Sequence, residues 1–366
     1  MSKSTVIAMS LFLCCMMARG QSMTRYFLTP TVAQQPGIEQ HILIDTGANG
    51  KQGKDTLFQI RTTDGEPMAY YRKIRQEACF DGKCRPLDVR IYWNITGRYL
   101  GLELPPGEFL SKTEHVPFTR AEYRRLNGLL ADSLSPLGQW KIQQIKKTSG
   151  EADLDGITGA TTPSIAPYVV KGALYTTYVL WHIIYGDTQQ TVMRLTAAQL
   201  TPNLMAKIVS SNDRGDRLWV LPYLTRANLT PTLQDSLLAM INEENYSLSE
   251  RVIKLLPANS LNDSLMQNKW IAQLKVVHYA LQSLLLEKLM QVTTLYPASS
   301  VALAEQMKHL NGKPLADIFK LYRKFQVSDK RVMHVVTELS NSDNGYVAHM
   351  AKDYLTNNQY PTTNNQ

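Results

Sequence analysis

The chain has 366 residues, of which 44% are hydrophobic and 19% charged, with 20 glycines and 17 prolines. This composition is that of a globular protein with room for two or three domains, and it excludes a disordered chain, a collagen-like chain and a polytopic membrane protein. Lysine and arginine (39) exceed aspartate and glutamate (31), giving a formal charge of +8, but the basic residues are dispersed and form no stripe of the kind that binds nucleic acid.

The first twenty residues have the pattern of a secretory signal peptide. Lys3 precedes an apolar run over residues 6–17, which is shorter than the roughly 20 residues needed to span a bilayer. Ala18 and Gly20 supply small residues at the positions that signal peptidase recognises. We therefore expect export to the periplasm or the extracellular space with cleavage after Gly20; an uncleaved N-terminal anchor is the alternative.

Strands are predicted in the first half of the chain. Residues 41–44 and 56–61 lie on either side of a Gly-rich segment, and residues 88–96 alternate apolar and polar positions. The Asp-Thr-Gly-Ala sequence at 45–48 resembles the catalytic loop of retroviral-type aspartic proteases. That chemistry needs a second carboxylate, and the sequence has no second Asp-Ser/Thr-Gly, so a strand entering a turn is the preferred interpretation.

The mature chain would retain two cysteines, Cys79 and Cys84, around an Asp-Gly pair at 81–82. Asp-Gly favours a two-residue hairpin turn, which would make the cysteines a non-hydrogen-bonded pair with Cα atoms roughly 4.5 Å apart. Because this separation allows a disulfide and export favours one, we predict a Cys79–Cys84 bond. A redox-active dithiol is less favoured, since the spacer is four residues and not two.

Helical signals follow the strands. Thr119 and Glu122 form a capping box for a short helix, and the apolar spacing predicts a long helix from 164 or 166 to 185. Together these elements predict an α+β domain over residues 21–190, after the signal peptide at 1–20. His182 in the long helix is expected to be a satisfied rim residue, since no second histidine lies one turn away.

A different pattern is predicted over residues 195–366. Amphipathic segments end at intervals of 32 to 33 residues, and such a period built from helix pairs is typical of an α-solenoid. The turns resemble those of HEAT-like repeats. We therefore expect an all-α solenoid of HEAT-like helical repeats, whose concave face would be available for docking a protein partner.

The sequence Asp-Gly-Ile-Thr-Gly-Ala-Thr-Thr-Pro at 155–163 stands immediately before the predicted long helix. The free N–H groups and the dipole at a helix N-terminus bind anions, and Gly159 would let the backbone approach a phosphate closely. This arrangement would hold a phosphate beside a threonine hydroxyl. Helix capping by Thr162 or Ser164 is the purely structural interpretation of the same residues.

This motif resembles the flavinylation motif of FMN-binding domains in sodium-pumping NADH:quinone reductase and electron-transport complex subunits. That motif is an Asp, two free positions, Ser or Thr, then Gly-Ala-Thr. The resemblance implies that a flavin transferase links FMN through a phosphoester to Thr161. The recognition frame would be Asp155, Thr158, Gly159 and Ala160, and Thr162 is a second possible acceptor.

The resemblance implies an electron-transfer flavoprotein or redox subunit more than a stand-alone enzyme. It would exchange electrons with a redox partner protein in the cell envelope and use the helical repeats for docking. The alternative is a non-catalytic exported scaffold or binding protein with a flavin-free FMN-binding-like domain. Six aromatic residues are available to stack on a ring, but none is assigned as a ligand: Tyr70, Tyr71, Tyr92, Trp93, Tyr99 and Trp140.

Overall fold

The computed structural model describes residues 26–46, 53–78, 85–141, 165–225, 228–242 and 245–359. Five strands form one antiparallel sheet in which neighbours in sequence are also neighbours in space. The strands predicted at 41–44, 56–61 and 88–96 are confirmed as the first, second and fourth of this sheet. In chain order the strands are β1 (Gly37–Thr46), β2 (Gly53–Thr62), β3 (Pro67–Gln76), β4 (Leu87–Asn94) and β5 (Tyr99–Glu103).

The two faces of the sheet have different surroundings. The inner face belongs to the main core, where Val89, Ile91 and Trp93 of β4 are completely buried. The opposite face, which we call the outer face, carries a separate small cluster that contains Phe58 and Tyr71. The alternation of apolar and polar residues in β4 therefore reflects the burial of one face of the strand, as expected for a sheet with helices on one side.

The helices follow the sheet and their apolar sides join the inner-face core, which continues without interruption as far as Tyr354. β5 contacts the first helix, and β4 contacts the second. The helices are α1 (Arg120–Ala131), α2 (Leu174–Ile184), α3 (Asp187–Ala197), α4 (Pro202–Val209), α5 (Arg214–Val220), α6 (Pro231–Leu238), α7 (Tyr246–Leu255), α8 (Ser264–Ala272), α9 (Tyr279–Leu289), α10 (Pro297–Met307), α11 (Gly312–Lys324), α12 (Lys330–Ser340) and α13 (Gly345–Gln359).

The capping box predicted for α1 is confirmed. The Glu122 N–H donates to the Thr119 hydroxyl at 3.2 Å, and the Thr119 N–H donates to the Glu122 carboxylate at 2.7 Å. Leu126 and Leu130 are fully buried on the core side of this helix. Local sequence chemistry and tertiary packing therefore agree at the start of α1.

The prediction of one long helix from 164 or 166 to 185 is wrong at the N-terminal end of the helix. The chain forms a single 3₁₀ turn at Ala166–Tyr168 and begins the α-helix only at Leu174. Gly172 has φ of +73°, a conformation outside the right-handed helical region that glycine adopts readily. The residues on the predicted apolar side are nonetheless buried, among them Val169 and Val170, so the pattern reported burial and not continuous helix.

The predicted α-solenoid of HEAT-like repeats is also wrong. The described residues show an antiparallel sheet followed by helices, roughly an α+β arrangement, and they do not show a solenoid of repeats. The helices range from 7 residues in α5 to 15 in α13, and they share one core with the sheet. The regular interval between apolar segments arose because each helix buries one side, a property that does not require equivalent repeated units. Within the described ranges, no helix is both long and apolar enough to cross a membrane.

Candidate functional site

The residues predicted to bind or carry the flavin lie outside the described part of the chain. This applies to Thr161 and to the rest of its frame, which is Asp155, Thr158, Gly159, Ala160 and Thr162. Cys79 and Cys84 are likewise outside it.

Both ends of the segment that carries the threonine motif are anchored next to α1 and α2. On the N-terminal side, the Tyr178 hydroxyl donates to the Trp140 carbonyl at 2.8 Å. On the C-terminal side, Ile165 is buried, and the Arg125 guanidinium donates to the Pro167 carbonyl at 3.0 Å. The chain therefore leaves and rejoins the folded structure at fixed points of the same helical layer.

The helix N-terminus expected directly after the 155–163 motif lies further along the chain. The α2 N-terminus lies at Leu174, thirteen residues after Thr161, and its N-cap residue Ala173 is buried and provides no side-chain cap. The first residues of α2, Leu174 and Tyr175, are buried as well. The N-terminus of this helix is therefore enclosed by protein and is not an exposed anion-binding helix N-terminus.

Three of the six candidate stacking aromatics belong to the main core. Tyr70, Trp93 and Tyr99 have no exposed surface. Their polar atoms already have partners: the Trp93 indole N–H donates to the Ile184 carbonyl at 2.9 Å, and the Tyr99 hydroxyl donates to Asn127 at 2.7 Å. These rings stabilise the fold and have no free face for a ligand.

Two others, Tyr71 and Tyr92, lie on the outer face of the sheet. Strand register places His41, Phe58, Tyr71 and Tyr92 in one row across β1 to β4. The Phe58 and Tyr71 rings are stacked, with centroids 4.5 Å apart and planes 7° apart, and the Tyr71 and Tyr92 centroids are 5.3 Å apart. Such cross-strand aromatic pairs stabilise a sheet.

Charged residues surround this aromatic row. The Tyr71 hydroxyl donates to Glu39 and the Tyr92 hydroxyl to Glu103, each at 2.7 Å. Burial and the hydrogen bond to Glu39 raise the pKa of Tyr71, so the phenol remains a proton donor at neutral pH. The Lys73 ammonium lies over the Phe58 ring, 4.7 Å from its centroid. The row is thus a compact secondary core with a polar rim, in which Phe58, Tyr71 and Tyr92 are buried and Tyr26 and Leu28 pack against them.

A buried polar network joins the sheet to the helices. Asp216 at the start of α5 is completely buried. Its carboxylate accepts hydrogen bonds from Arg98 at 2.9 Å, from Thr31 at 2.6 Å, from Ser211 at 2.8 Å and from Asn94 at 3.0 Å, and a further one from the Thr96 hydroxyl.

Opposing effects set the charge state of Asp216. Burial acts to raise the pKa of this carboxyl, but the hydrogen bonds and charge of Arg98, with the hydroxyls of Thr31 and Thr96, lower it below its ordinary value. The carboxylate is therefore ionised and satisfied, which indicates a structural role. The Asp213 N-cap and Ser211 lie close to Asp216 in the sequence, whereas Arg98, Thr31, Asn94 and Thr96 come from distant segments that only packing brings together.

His182 is also satisfied, as predicted from its isolated position. Its Nε2 atom lies 3.1 Å from the Leu137 carbonyl oxygen, and its ring packs against Tyr178 and Trp181. Burial lowers the pKa of the imidazole, and the hydrogen bond to Leu137 offsets part of this effect. Among the described residues, no group of three or more His, Cys, Asp or Glu side chains is arranged to hold a metal ion.

An open cavity of about 530 Å³ lies at the ends of β3 and β4, beside the segment that carries the cysteines. Four of its five charged lining residues are paired: Arg75 with Asp88 at 2.9 Å, and Arg85 with Glu108 at 2.7 Å. The fifth is Glu77. Because the lining mixes two arginines with three acids, it forms no site dominated by one sign of charge.

Comparisons with known proteins give no assignment: no family model, no curated protein and no solved structure matches this chain. The candidate functions therefore depend on the sequence motif and on the geometry of the described residues.

Proposed function

We propose that this protein is an exported flavoprotein that carries FMN in covalent linkage to Thr161 and serves in extracytoplasmic electron transfer. The observation that carries the proposal is the complete Asp-x-x-Thr-Gly-Ala-Thr sequence at 155–161. A flavin transferase would use FAD as donor: the Thr161 oxygen forms the new phosphoester bond to the FMN phosphate, the pyrophosphate bond of FAD breaks, and AMP leaves.

The chemistry of the motif fits this attachment. Thr161 provides the alcohol that a phosphoester requires, and the small residues Gly159 and Ala160 leave room for a transferase to reach it. When bound, FMN supplies reversible electron transfer. The protein's part is to retain the group outside the cytoplasm and to position it for a redox partner protein. The anchored ends at Trp140 and Ile165 give the motif a fixed base next to α1 and α2.

A second candidate function is binding without a flavin. It is favoured by the outer face of the sheet, where exposed charged side chains lie beside the aromatic row. Arg75 is 79% exposed and Glu39 is 44% exposed at its side chain. This function would make the chain an exported binding protein in which the 155–161 motif is not modified.

The test is co-expression of the complete chain with a flavin transferase, with export to the periplasm of the expression host. We expect flavin fluorescence of the protein band in a denaturing gel and an FMN mass increment on the peptide that contains Thr161. Thr161→Val should abolish both signals. Thr162→Val is the matched control, because it makes the same change one residue away, and it should leave both signals intact.

Three other results are informative. Loss of the signals in Thr162→Val with retention in Thr161→Val would move the attachment to Thr162. Modification of both variants would mean that attachment does not depend on either single hydroxyl and would refute the assignment. An unmodified wild-type peptide, with active transferase shown by a flavinylated reference substrate, would refute the flavoprotein and support the binding protein.

A further inference from the structure

The two edge strands of the sheet differ in length and in the chain segments that bond to them. At the β5 edge, which is five residues long, the N–H groups of Phe27 and Leu28 both donate to the Leu100 carbonyl at 2.9 Å. The β1 edge is ten residues long. Among the described residues, the main-chain hydrogen bonds of β1 go to β2. Every second residue of β1 therefore directs its N–H and C=O groups away from the sheet.

Within the described part of the chain, β1 has few of the features that usually prevent edge pairing. Proteins protect a long edge with charged side chains, especially lysine, with proline, a bulge or a covering segment; of the charged side chains, β1 carries Glu39 and Asp45. β1 contains no proline and no lysine, and its register with β2 is continuous from Gly37 to Thr46. Two large apolar side chains on it are exposed, Ile38 at 58% and Leu43 at 76%. Such an edge is suited to pairing with another strand.

The sequence of β1 is complementary to itself in an antiparallel arrangement. If Leu43 faces Leu43 of a second copy, residues 40–46 of the two strands oppose one another: Ile42 faces Ile44, and the His41 imidazole faces the Asp45 carboxylate. A register centred on Ile42 would instead bring Glu39 against Asp45, which like charges disfavour. A register centred on Gln40 would match Glu39 with His41 but would leave Leu43 opposite Gly37.

We infer that β1 is a homodimer interface, in which the β1 strands of two copies pair antiparallel across a two-fold axis centred on Leu43. The two five-stranded sheets then form one continuous sheet of ten strands. A two-fold axis perpendicular to the sheet keeps both outer faces on the same side. The two aromatic rows would consequently lie on one shared surface.

The first test is the association state of the purified full chain, measured by sedimentation velocity over a range of concentrations. We expect a reversible dimer. Leu43→Lys should raise the dimer dissociation constant by about tenfold or more, because it loses the apolar contact and opposes two like charges. Leu134→Lys is the matched control: Leu134 is 89% exposed and lies away from the sheet, between α1 and a 3₁₀ turn. It should leave the dissociation constant unchanged.

The second test reports the register. Leu43→Cys should form an intermolecular disulfide between two copies of the same peptide, because residues directly opposite in a sheet have Cα atoms about 4.5 to 5.5 Å apart. Gln40→Cys and Leu134→Cys should not do so. Both can be read from non-reducing gels and peptide masses. Since these side chains lie on the surface, unchanged circular dichroism spectra would show that the variants fold.

The alternatives give distinct results. A wild-type protein that remains monomeric at the highest concentrations reached would overturn the proposal and leave the edge to a different occupant. A dimer that Leu43→Lys and Leu134→Lys weaken equally, or not at all, would place the interface elsewhere. Efficient cross-linking through Gln40→Cys in preference to Leu43→Cys would refute the register centred on Leu43.

Discussion

The substitution Asp216→Asn tests the network that joins the sheet to the helices. Asp216 is completely buried and Arg98 is 17% exposed at its side chain, so the substitution leaves a largely buried guanidinium beside a neutral amide. It also replaces one of the two acceptor oxygens by an N–H₂ group. If that is Oδ2, the Thr31 and Ser211 hydroxyls lose their acceptor; if it is Oδ1, the Thr96 hydroxyl does. These are the conditions under which loss of one ionic partner is strongly destabilising.

The expected decrease in the free energy of unfolding depends on the partners that Arg98 keeps in the variant. Removing one partner of a buried ion pair costs about 3 to 5 kcal/mol. Arg98 would still lie 3.3 Å from the Asp213 carboxylate and would still donate to the Thr29 carbonyl, which favours the lower end of that range. We therefore expect Asp216→Asn to reduce the free energy of unfolding by about 3 kcal/mol.

The assay is urea unfolding followed by circular dichroism, and Asp88→Asn is the matched control. Asp88 pairs with Arg75, which is 79% exposed, and exposed ion pairs contribute about 0 to 1 kcal/mol. The two variants make the same chemical change in buried and in exposed surroundings. Equal shifts of the unfolding midpoint for Asp216→Asn and Asp88→Asn would refute the reasoning.

The stability lost in Asp216→Asn should become smaller as the pH falls into the acidic range. Because the pKa of Asp216 is lower in the folded chain than in the unfolded chain, the unfolded state takes up this proton first as the pH falls. The difference in free energy of unfolding between wild type and Asp216→Asn should be constant from neutral pH to about pH 5. It should shrink below the ordinary carboxyl pKa of about 3.9. A difference that grows on acidification would contradict the assigned charge state.

The remaining predictions concern the cysteines and two glycines. Exported native protein should contain no free thiol at Cys79 or Cys84, measured by alkylation and peptide mass; two alkylated thiols would contradict the disulfide. Gly172→Ala should destabilise by roughly 1 to 2 kcal/mol because residue 172 has φ of +73°. Gly128→Ala should instead raise the free energy of unfolding by about 0.5 to 1 kcal/mol, since this exposed α1 position has open space around it. Thermal melts of both variants test the two predictions. A stabilising Gly172→Ala would be inconsistent with the positive φ of residue 172.

The disulfide between Cys79 and Cys84 stays a prediction from the sequence. β3 and β4 pair antiparallel as far as Gln76 opposite Leu87. Residues 77–78 and 85–86 lie outside both strands, and the cysteines lie outside the described residues.

Some elements could be predicted because their signals are local. Period-two alternation identified β4, and the Thr119 and Glu122 pair identified the start of α1, since each depends on residues a few positions apart. The 164–185 pattern, in contrast, identified buried residues but not their backbone conformation. A period of apolar residues indicates which side of the segment is buried. Gly172, with its positive φ, interrupts the helical backbone before Leu174 and leaves that apolar pattern unchanged.

The sequence by itself determined three of the five strands, β1, β2 and β4, and the capping of α1, and it supplied the short motif whose resemblance to a flavinylation motif underlies the proposed function. Only the tertiary structure decided that sheet and helices share one core, that Tyr70 is buried while the adjacent Tyr71 belongs to the outer face, and that Asp216 meets Arg98. The physical reason is distance along the chain. The alternation of apolar and polar residues distinguishes the two faces of a strand but does not indicate what covers each face. Asp216 and Arg98 are 118 positions apart in the sequence, and only packing brings them together.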